Sequence, residues 1–412
     1  MFKRTAAARL ARAPRNWDSS RTGGRLVSAI LAGAALAGIV SAGASDGKTP
    51  AERAIVSEGD TARLMRVFDR ARRGEALTVG VIGGSITQGA AATKPENRYG
   101  NLVAAWWRQT FPNAKIDFVN AGIGATGSSY GALRAKRDLL SHRPDFVVVE
   151  YAVNDGNTQA SAETLEGLVR QILKRPNRPA LLLLFMMNRT GGSAQQWFVK
   201  VGEHYHLPMV SYRDALWPEI EAGRMKWDDI SPDQVHPNDR GHAAAAGWVI
   251  ASLQRALDKF PAAGAPPEPG EIPAPIFTDV YEFTALQEAE ALQPVANQGW
   301  VRDPKTKSWT SDRPGSMIEF EIAGRIIFGM HYVIKGPMGR AQVTADGGAR
   351  KTLEGWFNQT WGGYRQTNPL AADLSTGTHR LRFELLPTKA EGSTGHEFRI
   401  LGLGAAGLAP DP

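Results

Sequence analysis

The chain of 412 residues contains no cysteine, which excludes disulfides, thiolate metal sites and a cysteine nucleophile together. That absence does not assign a cellular compartment. Aromatic residues are sparse (8%) and charged residues make up 22%, against 42% hydrophobic residues, the balance of a globular chain that buries a core. The length exceeds one ordinary core, so two domains are expected. The formal charge of +7 is not a sign of nucleic acid. Residues 1–44 hold seven Lys/Arg against the single acid Asp18, six of the seven net charges. The remainder is nearly neutral and lacks the basic footprint that phosphate backbones require.

Long apolar runs are missing outside one place. Lys3, Arg4, Arg9, Arg12, Arg15, Arg21 and Arg25 precede an apolar stretch from Leu26 to Gly43, and Ala42-Gly43-Ala44 has the small-x-small cleavage pattern. This predicts a signal peptide over 1–44, with no adjacent Arg-Arg pair for a twin-arginine signal. The run is also about long enough to remain as an N-terminal membrane anchor. Either outcome predicts a periplasmic or secreted protein.

From 60 to 260, short β-branched runs alternate with amphipathic stretches. Strands are predicted at Leu77–Ile82, Ile116–Asn120, Phe146–Ala152, Leu181–Met187 and Met209–Tyr212. Helices are predicted at Gly100–Phe111, Gly131–Ser141, Ala162–Lys174, Ala194–His206 and Asp239–Phe260. Strands apolar throughout, each followed by a helix, imply an α/β fold with a doubly wound parallel sheet and right-handed crossovers. Ligands in such folds gather at the carboxyl ends of the strands. Residues 261–276 form a Pro-rich linker. Beyond it, 277–408 show short alternating segments and no helix of any length, which predicts a C-terminal antiparallel β-sandwich domain.

Two motifs carry chemistry. Gly83-Gly-Ser-Ile-Thr87 places a serine hydroxyl, Ser85, at the end of the first apolar strand. Asp233-Gln-Val-His236-Pro sets a carboxylate and an imidazole three positions apart, ahead of the last helix. A serine becomes a nucleophile when a neutral imidazole accepts its proton and a carboxylate holds the other ring nitrogen. Donors for an oxyanion are also needed. Candidates are the N–H of Ser85, the side chain of Asn154 at a strand end, and the small-residue turn Asn120-Ala-Gly-Ile-Gly-Ala-Thr-Gly127. An Asx-turn or helix cap is the alternative reading of Asn154.

These blocks resemble the SGNH (GDSL-type) hydrolase superfamily over roughly 78–257. Gly84-Ser85, the glycine-bearing turn, Asn154 and Asp233-x-x-His236 match it in order and strand context. The resemblance implies a three-layer, flavodoxin-like sandwich, Ser85 as nucleophile, His236 as base, Asp233 as its orienter, and Asn154 with a turn amide in the oxyanion hole. One departure leaves Gly124 and Ala125 open for that amide, because Ala125 stands where the family carries glycine. An alanine serves there only if the turn does not demand positive φ. The Gly-Gly-Ser-Ile-Thr variant with a trailing β-domain is similar to carbohydrate O-acetyl esterases. It implies an acetylated polysaccharide or oligosaccharide as substrate and no cofactor.

Other readings compete with this one. Gly122-Ile-Gly-Ala-Thr-Gly127 is a literal dinucleotide fingerprint, but it follows the second strand, and Glu150 lies too far on to meet a ribose. His204, His206 and His242 do not form a ligand cluster by spacing, so no metal site is expected. Trp300, Trp309, Trp356, Trp361 and Tyr364 suit either a sandwich core or a sugar-stacking platform, which keeps a non-catalytic glycan-binding protein in view. The loops after Ser85 and Asn154 are polar and small, which favours a short acyl group over the apolar channel of a lipase or thioesterase. Transfer of the acyl group to another sugar is left open.

Overall fold

Strand β2 (Leu77–Gly83) is buried along nearly its whole length, and it is where the chain changes direction across its sheet. A computed structural model describes residues 47–261, 265–348, 350–360 and 362–409. The expected leader and Trp361 lie outside the described residues. Among these, no helix is long and apolar enough to cross a membrane.

A single turn at Pro50–Ala54 leads into β1 (Ile55–Ser57), and helix α1 (Ala62–Arg72) precedes β2. From β2 the chain runs through α2 (Tyr99–Thr110) to β3 (Ile116–Gly122), then back through α3 (Ser128–Asp138) to β4 (Phe146–Glu150). Helix α4 (Gln159–Leu173), β5 (Ala180–Phe185), α5 (Gln195–His204), β6 (Met209–Ser211), α6 (Tyr212–Glu221) and α7 (Asp239–Asp258) follow. The sheet order is β1-β6-β5-β4-β2-β3. Neighbours from β3 to β6 are parallel, but β1 pairs antiparallel to β6. The sheet expected to be parallel throughout is therefore mixed at one edge. Because β3 and β4 flank β2, the crossovers diverge there, and the carboxyl end of β2 is the topological switch point.

Alternation along the strands feeds two cores. Val79, Val81, Val148 and Leu182 face α1, α2, α6 and α7, whereas Ile82, Val147, Val149 and Leu183 face α3, α4 and α5. Both faces are covered, as a buried parallel sheet requires.

The second domain is two facing antiparallel sheets. One holds Tyr364–Ala371, Ile326–Val333, Phe398–Ala406, Ser308–Ser311 and Val301–Asp303, with Thr284–Glu288 also paired to Phe398–Ala406. The other holds Arg350–Glu354, Arg340–Ala345, Thr378–Leu385, Met317–Ala323 and Ala296–Gln298. Thr378–Leu385 alternates strictly between exposed and buried residues, sending Leu381, Phe383 and Leu385 into a core with Ile318 and Phe320. Trp300 and Trp309 also pack in this core, edge-on to Phe398 and Phe320.

The sandwich is not held as a free bead on a spacer. Its Phe328, Met330, Leu401 and Ala406 join the core on the α3–α4 side. Glu166 of α4, fully buried, accepts from the backbone N–H groups of Ile276 (2.6 Å), Phe277 (2.9 Å) and Thr278 (3.0 Å) and from the Tyr205 hydroxyl (2.7 Å). Arg170 reaches the Pro273 carbonyl and the Glu282 carboxylate. His204 meets the Ala274 carbonyl at 2.7 Å, which fastens the connecting segment.

Candidate active site

At the carboxyl end of β2 the backbone passes through Gly83-Gly84 into one helical turn, Ser85–Gln88. Glycine is needed at 84, because a Cβ there would overlap the side-chain amide of Asn154. The turn is pinned from several sides. The Gly83 carbonyl accepts from Ile123 N–H (3.1 Å) and from buried Arg134 (3.2 Å), and Asn120 Nδ2 donates to the Thr87 carbonyl (2.8 Å). Thr87 Oγ1 shares a hydrogen bond with the Tyr99 hydroxyl (2.8 Å) and donates to Glu150 (3.1 Å). Glu150 is fully buried, and that burial pushes its carboxyl up to about 8. At neutral pH it is mainly a neutral acid beneath the serine turn.

The second motif sits on the loop before α7. Ser231 Oγ donates to the carbonyls of Asp233 (3.1 Å) and His236 (2.7 Å), and Trp227 Nε1 donates to that of Asp233 (2.5 Å). The Asn238 side chain caps α7 by accepting from Gly241 N–H (3.0 Å). Asp233 Oδ1 accepts from the N–H groups of Val235 and His236, each at 2.7 Å. His236 Nδ1 lies 2.7 Å from Asp233 Oδ2, and Nε2 lies 2.9 Å from Ser85 Oγ.

Partial burial opposes the charge on Asp233, but the His236 and Val235 amides and the imidazole outweigh it and hold this carboxyl below its ordinary value. An ionised carboxylate can only accept, so Nδ1 carries the ring proton and Nε2 offers its lone pair to the serine. A hydroxyl so placed can lose its proton as it attacks an electrophilic carbon.

The expected oxyanion donors divide. Asn154 stands in the turn after β4, its N–H bonded to the Tyr151 carbonyl (3.0 Å). Its Oδ1 is buried with no partner among the described residues, which removes the Asx-turn reading. The Gly124 N–H donates to Gln88 Oε1 at 3.0 Å. Ala125 is exposed, with φ at +55°, and no acceptor among the described residues meets its N–H. The turn does demand positive φ, and alanine adopts it all the same, so the condition expected to exclude alanine there does not hold. Gly122 is glycine because a Cβ would overlap the Gln88 backbone, so the apparent dinucleotide fingerprint is a close approach between two turns of one site.

His242 is buried away from the triad. It accepts from Tyr99 N–H at 3.4 Å and meets the Ala90 carbonyl at 3.1 Å, while Asp239 holds Thr93 and Asn97. Together they fasten the loop after Ser85 to α7. Sequence reasoning missed Gln88 and Thr87 in these supporting roles, although both flank the serine motif.

Fold and site together define an ester-hydrolysing enzyme of the α/β class. Residues 81–244 match the GDSL-like Lipase/Acylhydrolase family. A two-domain esterase active on acetylated mannans is 33% identical, with a TM-score of 0.80 covering 88% of this chain and 100% of that one. Its crystal structure with mannopentaose aligns over 89% of this chain with the same score. Thioesterase 1/protease 1/lysophospholipase L1 of Escherichia coli (strain K12) is 26% identical over 149 residues, 34% of this chain and 69% of its own length. The present chain belongs to the GDSL-like lipase/acylhydrolase family.

Proposed function

We propose that the protein is an exported serine esterase that removes acetyl groups from a carbohydrate through an acyl-enzyme. Ser85 Oγ attacks the ester carbonyl while His236 Nε2 takes its proton, and Asp233 steadies the imidazolium. The oxyanion is met by the amides of Ser85 and Ala125 and by Asn154 Nδ2. Collapse expels the sugar alkoxide, which His236 protonates, and a water molecule repeats the sequence to release acetate.

The observation that carries this reading is the likeness, along both domains, to an esterase active on acetylated mannans. The predicted leader supports a periplasmic or secreted location, and acetylated polysaccharide or oligosaccharide is the partner. The shorter likeness to a thioesterase/lysophospholipase favours a second reading, action on long acyl chains. Acetate release from acetylated mannan, xylan, pectin, chitin oligomers and peptidoglycan tests the first reading, with Ser85→Ala as control. Cleavage of palmitoyl esters or acyl-CoA with no acetate from any glycan would replace it by the second.

A further inference from the structure

Three turns meet at the proposed oxyanion hole, and one of them carries a left-handed alanine. Ser85 lies in the turn after β2, Ala125 in the turn after β3 and Asn154 in the turn after β4. Ala125 holds φ at +55°, a conformation that lowers the population of an alanine by about tenfold. Thr126 Oγ1 closes this turn on itself by donating to the Ile123 carbonyl at 2.7 Å. Two further ties reach it from outside, one on each side of Ala125.

On the N-terminal side, Gly124 N–H donates to Gln88 Oε1 at 3.0 Å. Gln88 is exposed and ends the helical turn that Ser85 begins, so this bond links the nucleophile's turn to the peptide ahead of Ala125. A Cβ at Gly124 would stand 2.9 Å from the same carboxamide oxygen and 3.7 Å from Ser85 Cβ, which places the tie beside the nucleophile. On the C-terminal side, Asp155 accepts from Ser128 N–H with both carboxyl oxygens, at 3.0 and 3.1 Å. Asp155 directly follows Asn154, so this bond links the turn of one expected donor to the turn of the other. The approach is close enough that a Cβ at Gly127 would overlap Asp155 Oδ1.

We propose that Gln88 and Asp155 are positioning residues of the oxyanion hole, a clamp that holds Ala125 left-handed so that its N–H stays aimed at the reacting carbonyl. Neither side chain needs to touch substrate. The clamp fixes backbone on both sides of a residue that would otherwise relax to negative φ and turn its amide away. The proposal rests on the acyl-enzyme reading above and adds how an alanine serves in that turn.

Steady-state hydrolysis of p-nitrophenyl acetate by the full chain tests it, with Gln88→Ala and Asp155→Asn each made in the wild type and in Ala125→Gly. Glycine takes positive φ freely and does not need the clamp. In the wild type each change lowers kcat by about tenfold and leaves KM in place, because the amide is used in the transition state. In Ala125→Gly the same change lowers kcat by no more than about twofold, a non-additivity that marks coupling between the sites. Equal losses in the two backgrounds, or no loss in the wild type, overturn the clamp, since general loosening of the loops does not depend on the methyl group at 125. Because Gln88 is exposed, Gln88→Ala decides the test even where Asp155→Asn does not fold. The ester carries no sugar, so the outcome does not depend on which glycan is the substrate. Turnover retained in Ser85→Ala overturns the acyl-enzyme reading and the clamp with it. Turnover lost in Ser85→Ala, with equal losses in the two backgrounds, overturns the clamp alone.

Discussion

His236 Nε2 lies 2.9 Å from the Ser85 hydroxyl although 151 positions separate them in the chain. The approach follows from topology. Ser85 caps β2 at the switch point, and the loop before α7 returns to the same edge of the sheet. Each residue is held by its own local network, so the short contact joins two independently fixed loops.

Replacing either member should therefore abolish turnover without unfolding the protein. Ser85→Ala and His236→Ala are expected to lower kcat for p-nitrophenyl acetate by about 10⁴-fold or more, with an unchanged far-ultraviolet spectrum. Asp233→Asn should cost less than either, on the order of 10²–10⁴, because the imidazole keeps its position on the loop. Residual activity within tenfold of wild type in Ser85→Ala would place the nucleophile elsewhere.

The oxyanion donors make a second, finer test. Asn154→Ala should reduce kcat by about 10²–10³ with little change in KM, as for losing one preorganised donor. Ala125→Gly keeps the amide and relieves a left-handed alanine at φ +55°. It should raise stability by about 1 kcal/mol and retain activity. A lower melting temperature in Ala125→Gly would show that the turn is not strained by its methyl group.

Much of this arrangement was legible in the sequence because its signals are local. Strands β2, β4 and β5 are nearly continuous apolar runs, since burial on both faces leaves no polar alternation. Asp233 and His236 sit three apart on one loop, and Pro237 follows to keep it from becoming helix. Strand β1 left no mark, being three half-buried residues at an edge. Helix α1 has Leu64, Val67, Phe68 and Ala71 buried at helical spacing, but the arginines at 63, 66, 70 and 72 dilute the pattern. Pro218 inside α6 reads as a break. The bond between Gly124 and Gln88 spans 36 positions, and the bond between Thr87 and Glu150 spans 63. Such partners follow from tertiary register, which neither periodicity nor motif spacing encodes.

The link between the domains makes a third test. Glu166→Ala would leave three backbone N–H groups at 276–278 and the Tyr205 hydroxyl without their acceptor. Losing several charge-assisted bonds inside the protein should destabilise it by about 3 kcal/mol. Urea unfolding should show the loss in the midpoint, and limited proteolysis should open the 265–280 segment before either domain. A midpoint equal to wild type would mean that the sandwich docks through its apolar contacts alone.

The buried acid under the serine turn sets a pH dependence of stability. Burial raises the Glu150 carboxyl to about 8 in the folded protein, against about 4.3 for an exposed glutamate in the unfolded chain. Below pH 4 both states hold the proton and the contribution is complete. As pH rises toward 8 the unfolded chain releases a proton that the folded chain retains, so stability declines by about 1.4 kcal/mol per pH unit across that window. Above 8 both states are ionised and the decline stops. Glu150→Gln keeps an oxygen to accept from Thr87 and removes the titration. Its melting temperature, compared with wild type, should gain steadily between pH 5 and pH 8. A difference that stays constant over that range would mean that Glu150 is already ionised where it lies, and that Thr87 and its neighbours, rather than a neutral acid, support the serine turn.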